Sequence, residues 1–326
     1  MNILVTGGTG FLGRHLVKAL LTDGHAVRLM GRNFSQVQPL IAASAIAITA
    51  DLRNASAISQ ACKGIDVVYH VGAFSAAWGK RTDFFAINVG GTQAVITGCR
   101  KYGIKRLIYV SSPSVVFNGQ DQNQVNESVS YPRRFASVYS LTKKLGEDFV
   151  NASAPSLETV IIRPKAIFGP GDRTLLPQLI AAARRNRLPQ VGDGNNLVDL
   201  TYVENVAHAL LLALDARTAI GKTYTITNDE HILLWDVISQ ILCELDLSTN
   251  LRRVSLPLAL LCAVSMEVLA SATGKEPLLT RYSAAILART QTYDISAAKR
   301  DLGYAPQVSV TEGIQRTLAV LSGEVG

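Results

Sequence analysis

Residues 6–13 read Thr-Gly-Gly-Thr-Gly-Phe-Leu-Gly, directly after the apolar run Ile3-Leu4-Val5 and directly before a helix-like segment at 11–22. A glycine-rich turn in that setting leaves few folds open. Glycines at 7, 10 and 13 allow a tight turn, close approach of backbone amides to a pyrophosphate, and close packing of helix on strand, with the helix N-terminus facing the anion. Gly7, Gly10, Phe11, Leu12 and Gly13 are therefore candidate dinucleotide-binding residues. No Gly-Lys-Ser/Thr follows the turn, which argues against an ATP-type phosphate loop.

The rest of the first half fits the same fold. Short apolar runs at 2–6, 26–30, 46–49, 66–70, 105–110 and 158–163 alternate with helix-like segments near 11–22, 35–43, 55–62, 82–101 and 136–152. Six strands and five crossovers predict an α/β fold, a Rossmann-type doubly wound parallel sheet with right-handed connections. Beyond Pro164 the rhythm becomes irregular, broken by Gly169-Pro170-Gly171-Asp172 and by the 192–196 turn. This places a nucleotide-binding domain at 1–165 and a smaller, mostly helical substrate lobe at 166–326. The alternation at 222–227 predicts one more strand, returning to the main sheet.

Of the 326 residues, 48% are apolar and 17% charged, against an average of about 25% charged, which excludes intrinsic disorder. The net charge of +7 suits an anionic ligand, nucleic acid or a membrane surface, and the sign alone does not choose among them. No motif points to nucleic acid. Four cysteines, at 62, 99, 243 and 262, lack metal-ligand or disulfide-framework spacing, so reduced thiols in a cytoplasmic protein are expected and no metal site is. The start lacks the pattern of a signal peptide, and no export is expected. In the stretch 251–273, Arg252-Arg253 precede a run from Val254 to Met266 with no charge, too short to span a bilayer. Two readings stay open: a buried helix of the lobe, or an apolar cap over a greasy substrate or a peripheral membrane contact.

The end of the second strand reads Leu29-Met30-Gly31-Arg32-Asn33. An acidic residue there would bind the ribose 2′-hydroxyl and an arginine a 2′-phosphate, so Gly31 followed by Arg32 favours NADP(H), with NAD(H) as the alternative. Asp51-Leu52 follows the third strand, where a carboxylate would accept from the adenine amino group. His70-Val71-Gly72-Ala73 follows the fourth, where small residues let the chain run under a cofactor. His70 itself reads as a packing residue. Asn88 either faces the cofactor or caps a helical turn.

Tyr139 and Lys143 lie four residues apart on a predicted helix, one turn apart on one face. A free phenol has a pKa of about 10, and a nearby ammonium together with a cationic nicotinamide favours the phenolate, bringing the group toward the working range. The fifth strand ends in Tyr109-Val110-Ser111-Ser112 at the same sheet edge, and a hydroxyl there would hold a substrate oxygen. Ser112 is the favoured serine and Ser111 the alternative.

With Arg163-Pro164, Gly169-Pro170-Gly171-Asp172 and Tyr202-Val203-x-Asn205-Val206-Ala207, these motifs make the chain resemble an extended short-chain dehydrogenase/reductase along nearly its whole length. The resemblance implies hydride transfer at a substrate carbon, with Tyr139 as acid/base, Lys143 on the nicotinamide ribose and Ser112 fixing the oxygen. It also places Tyr139, Lys143 and Pro164 against the cofactor. A homodimer through 82–101 and 136–152 is what such families suggest.

Val198 occupies the position where nucleotide-sugar enzymes of this kind usually carry an arginine for the substrate diphosphate. An apolar side chain there argues against a doubly charged substrate. The 192–196 turn, Thr290 to Lys299, and Leu302-Gly303-Tyr304-x-Pro306 are similar to the 3β-hydroxysteroid dehydrogenase/isomerase group, especially to sterol-4-carboxylate 3-dehydrogenases and 2-alkyl-3-oxoalkanoate reductases. Trp78 and the uncharged run agree with an apolar ligand. Arg184-Arg185-x-Arg187 either meets a substrate carboxylate or forms a solvated face. The expected function is an NAD(P)-dependent interconversion of a secondary alcohol and a ketone on a small lipophilic substrate. The alternatives are a nucleotide-sugar epimerase, dehydratase or reductase, and a non-catalytic NADP-binding redox sensor.

Overall fold

A computed structural model describes residues 1–323. Seven strands form one parallel sheet: β1 (Asn2–Thr6), β2 (Ala26–Gly31), β3 (Ile46–Thr49), β4 (Val67–His70), β5 (Arg106–Val110), β6 (Glu158–Pro164) and β7 (Lys222–Ile226), in the order β7-β6-β5-β4-β1-β2-β3. The six expected strands are present within a residue or so of their bounds, and the seventh is the returning segment near 222–227. Their near-continuous apolar runs follow from burial on both faces of a parallel sheet. Ile3 and Val5 pack under one helical layer and Leu4 under the other, so the alternation along β1 serves two cores.

The flanking helices are α1 (Phe11–Thr22), α2 (Gln38–Ala42), α3 (Ala55–Ala61), α4 (Arg81–Phe84), α5 (Gly91–Lys101) and α6 (Val138–Ser153). The single helix expected at 82–101 is three pieces, because a π-helical stretch at Phe85–Gly90 joins α4 to α5. Strand order reverses between β1 and β4, and ligands of doubly wound sheets bind in the crevice that opens there.

The second half holds α7 (Leu175–Arg184), α8 (Val203–Asp215), α9 (Leu234–Glu244), α10 (Leu256–Thr273), α11 (Arg281–Ala288), α12 (Ser296–Leu302) and α13 (Val310–Gly323). It is less purely helical than expected. A four-stranded sheet combines His231–Leu233, Leu197–Asp199 and Gln291–Tyr293 with Gln122–Val125 from the first half. A boundary at 165/166 is therefore crossed in both directions, since α8 and β7 pack into the nucleotide-binding layers. The buried-helix reading of 251–273 is overturned. Only Ala259, Ala263 and Ala270 of α10 are buried, and its leucines and valines point largely outward.

Candidate active site

Gly7 has φ +68, and a Cβ there would lie 2.5 Å from the Gly72 Cα; a Cβ at Gly13 would lie 2.1 Å from the Gly7 carbonyl oxygen. Both distances are impossible for a side chain, so these two glycines let β1, α1 and the chain after β4 close on one another. Gly10 is the N-cap of α1, donates to the Gly7 carbonyl at 2.9 Å, and offers no side-chain cap, which leaves first-turn amides open to an anion. Phe11 and Leu12 supply backbone to that turn, while the Leu12 side chain is buried in the core and the Phe11 ring stands edge-on to His15.

A cleft of about 330 Å³ opens over this loop, bounded among others by Gly10, Arg32, Asp51, Leu52, Gly72 and Ile87. A Cβ at Gly31 would sit 2.4 Å from the Thr9 hydroxyl oxygen, so an acidic side chain at the end of β2 would have to displace Thr9. Arg32, exposed on the rim, reaches within 3.7 Å of the Asp51 carboxylate. Asp51 also takes Arg53 Nε at 2.9 Å and an Arg53 guanidinium N–H at 2.8 Å, and those bonds hold its carboxyl down to about 2. It is ionised and shared between two arginines. Leu52 packs against Gly72, whose amide donates to the Thr6 hydroxyl at 3.3 Å, and Val71 packs toward the core. The glycine cradle, the open helix N-terminus and the paired arginines fit the pyrophosphate and adenosine parts of a dinucleotide.

Asn88 is held by the protein itself. Its buried amide accepts from the Phe74 N–H at 2.7 Å and donates to the Phe74 carbonyl and to Thr142. Every polar atom of that side chain is thus used on the protein, where it clamps the wall of the cleft to α6.

Ser137 caps α6, accepting from the Ser140 amide at 3.0 Å, and fixes the rotation that brings Tyr139 and Lys143 to the sheet. Burial pushes the Tyr139 phenol above its ordinary range, opposed by a hydrogen bond from Ser112. For the protein groups alone, enclosure penalises phenolate more than the neighbours favour it; the expected lowering counts on a cationic nicotinamide beside Lys143. Of the two serines, Ser112 is therefore the one at Tyr139; the Ser111 hydroxyl is buried without a hydrogen-bond partner. Lys143 Nζ donates to the Val110 carbonyl at 2.7 Å and sits 4.0 Å from the Tyr109 ring centroid, and burial draws its ammonium down to about 7. Pro164, buried at the end of β6, pairs with Ile226 at the same edge.

Glu147 escaped the sequence reading. One turn beyond Lys143, it forms a buried bidentate pair with Arg163, both bonds 2.7 Å, and accepts from the Tyr131 hydroxyl. This locks α6 to β6. The signal was there, a carboxylate four residues after the lysine and an arginine inside an apolar strand, but nothing in the sequence joins them. Tyr282 and Tyr293, from the far end of the chain, were missed for the same reason. Arg184, Arg185 and Arg187 are exposed at the end of α7. Trp78 is half-buried.

Residues 4–258 match the 3-beta hydroxysteroid dehydrogenase/isomerase family. A 2-alkyl-3-oxoalkanoate reductase of Stenotrophomonas maltophilia is 38% identical over 329 residues, covering 98% of this chain and 99% of the relative. A decarboxylating sterol-4-alpha-carboxylate 3-dehydrogenase of Mus musculus is 35% identical, covering 96% of this chain and 89% of the relative. Among solved structures, UDP-glucuronic acid 4-epimerase from Bacillus cereus in complex with NAD superposes with a TM-score of 0.79 at 25% identity over 99% of both chains.

Proposed function

From the premise that the chain belongs to the 3-beta hydroxysteroid dehydrogenase/isomerase family, whose relatives are named dehydrogenases and reductases of hydroxyl and keto groups, we propose that it interconverts a secondary alcohol and a ketone on a lipophilic substrate, sterol-like or a long-chain 3-oxo acid, with NADP(H) preferred over NAD(H). What supports the reading is that Tyr139, beside Ser112, and Lys143, one helical turn on and bonded to the Val110 carbonyl, stand together at the sheet edge that carries the dinucleotide cleft.

The chemistry that NADP(H) supplies when bound is hydride transfer at the substrate carbon. The glycine turn and α1 would hold the pyrophosphate, Arg32 would meet the 2′-phosphate, and Lys143 and Pro164 would border the nicotinamide end. Ser112 holds the substrate oxygen against Tyr139. With its phenol pushed up by burial, Tyr139 stays protonated near neutrality and gives its proton to the oxygen as the carbonyl is reduced. In the opposite direction the phenolate takes that proton. Val198, buried in the lobe's apolar cluster, leaves the place of a diphosphate-binding arginine filled with hydrocarbon and favours a greasy substrate over a nucleotide sugar. A homodimer through α5 and α6, and a cytoplasmic location with peripheral membrane contact through 251–273, complete the proposal.

The test is turnover of lipophilic 3-oxo compounds beside UDP- and dTDP-sugars. Replacing Tyr139 by Phe is expected to cut kcat by about 10²-fold or more while NADPH titration by fluorescence stays nearly unchanged. Unchanged kcat in Tyr139→Phe would remove the tyrosine from the chemistry, and turnover of a nucleotide sugar alone would replace the substrate class.

A further inference from the structure

We propose that Lys165, Gln291 and Tyr293 form a subsite that binds a carboxylate on the same molecule as the reacting carbonyl, so that this chain selects an anionic lipophilic substrate over its neutral counterpart. The proposal rests on the reading that carbonyl reduction takes place at Tyr139.

Lys165 follows β6 directly, and its side chain turns inward instead of reaching solvent. Its Nζ donates to Gln291 Oε1 at 2.7 Å and lies 5.7 Å from the Tyr293 ring centroid. An ammonium has three donors. Among the described residues no carboxylate comes within 4.0 Å of it as an ion-pair partner. The nearest acid in effect, Asp199, is committed elsewhere: it binds His231 Nδ1 at 2.6 Å and accepts from the Tyr293 amide at 2.8 Å. Two more donors surround the lysine without partners, the Gln291 Nε2 amide and the Tyr293 hydroxyl, both on residues only 2% exposed. Unsatisfied buried donors are costly, and two residues bearing them around one buried cation describe an anion site.

The placement ties this cluster to the reacting centre. Tyr293 packs with Val115 and Val116 of the segment that follows Ser112, and the Ser111 amide donates to the Ile162 carbonyl of β6 at 2.7 Å, so Lys165 and Tyr293 lie beside the strand end that carries Ser112. Burial lowers the Lys165 ammonium to about 8, with Asp199 opposing, which leaves it largely charged at neutral pH. A carboxylate suits the site better than a phosphate. It is acceptor-only with two oxygens and a single charge, whereas a dianion would be repelled twice as strongly by Asp199.

The experiment compares a stable substrate pair in the oxidising direction: a long-chain 2-alkyl-3-hydroxy acid and its methyl ester, with NADP⁺. In the unmodified enzyme kcat/KM for the acid is expected to exceed that for the ester by about 10- to 100-fold, the range for a hydrogen-bonded charged pair. In Lys165→Met the acid should fall to the level of the ester while the ester keeps its rate, and retained NADPH binding would report a folded protein. Equal turnover of acid and ester by the unmodified enzyme overturns the subsite while leaving carbonyl reduction standing, and needs no variant. A parallel loss of both substrates in Lys165→Met overturns it too. Failure to oxidise either substrate removes the underlying reading along with the subsite.

Discussion

At Gly31 the missing side chain is dictated by a neighbour, since the Thr9 hydroxyl already fills the space a Cβ would take. The carboxylate that would read a ribose 2′-hydroxyl is missing there, and the next residue, Arg32, stands over the cleft with the Asp51 carboxylate 3.7 Å away. Removing that guanidinium leaves Asp51 still paired with Arg53. Arg32→Ala is therefore expected to weaken NADPH about 10-fold, as for the loss of one exposed charge-assisted contact, and to leave NADH unchanged. Equal weakening of both nucleotides in a fluorescence titration would make Arg32 an ordinary surface residue. The glycines, the arginine and the Tyr-x-x-x-Lys pair were legible because each works through local backbone geometry or one helical turn. The clamp made by Asn88, and Glu147 and Lys165, were not legible because their partners, Phe74, Arg163 and Gln291, lie 14 to 126 residues away.

Between elements, legibility followed the same division. The six strands read from apolar runs alone, since a parallel strand buried on both faces needs nothing else, whereas the π-helical stretch between α4 and α5 left no mark on the sequence. His70 shows how such elements are tied. Its Nδ1 lies 2.7 Å from the Thr6 hydroxyl of β1, and its Nε2 lies 3.0 Å from that of Thr92 on α5. Thr92 already donates to the Asn88 carbonyl, so it accepts from Nε2–H, and Nδ1 accepts from Thr6. A second ring proton would force the Thr6 hydroxyl to turn its own proton away from the ring. Burial and the Lys143 charge hold the imidazole down to about 3, below the unfolded value near 6.5. The unfolded chain then binds a proton that the native state refuses, and stability is lost as pH falls from 6.5 toward 3. By pH 5 the loss from this residue is expected to be about 2 kcal/mol. Urea unfolding at pH 7 and pH 5 should show that difference in the unmodified chain and not in His70→Gln; identical pH slopes would place the acid sensitivity elsewhere.

For the whole molecule, the net charge of +7 and the apolar run converge on α10. At 18 residues the helix is about 27 Å long, just under the hydrocarbon thickness of a bilayer. Ala259, Ala263 and Ala270 seat it on the body of the lobe, and Glu267 pairs with Arg281 of α11. The other side carries Leu258, Leu261, Val268 and Leu269, the last three 65, 66 and 63% exposed, at spacings that keep them in one stripe. Arg252 and Arg253 precede the helix and Lys275 follows it, all exposed. A helix held to the protein along one side and bare on the other is shaped to lie in a membrane surface, with the flanking cations at anionic headgroups. The protein is therefore expected to sediment with vesicles of phosphatidylcholine and phosphatidylglycerol, less so as salt rises. Leu261→Glu together with Val268→Glu should abolish that binding and leave turnover of a short, water-soluble ketone unchanged, because neither residue belongs to the cleft. A protein that stays in the supernatant at low salt would show that the stripe is not a lipid contact; sedimentation unaffected by the two glutamates would move the contact to another face.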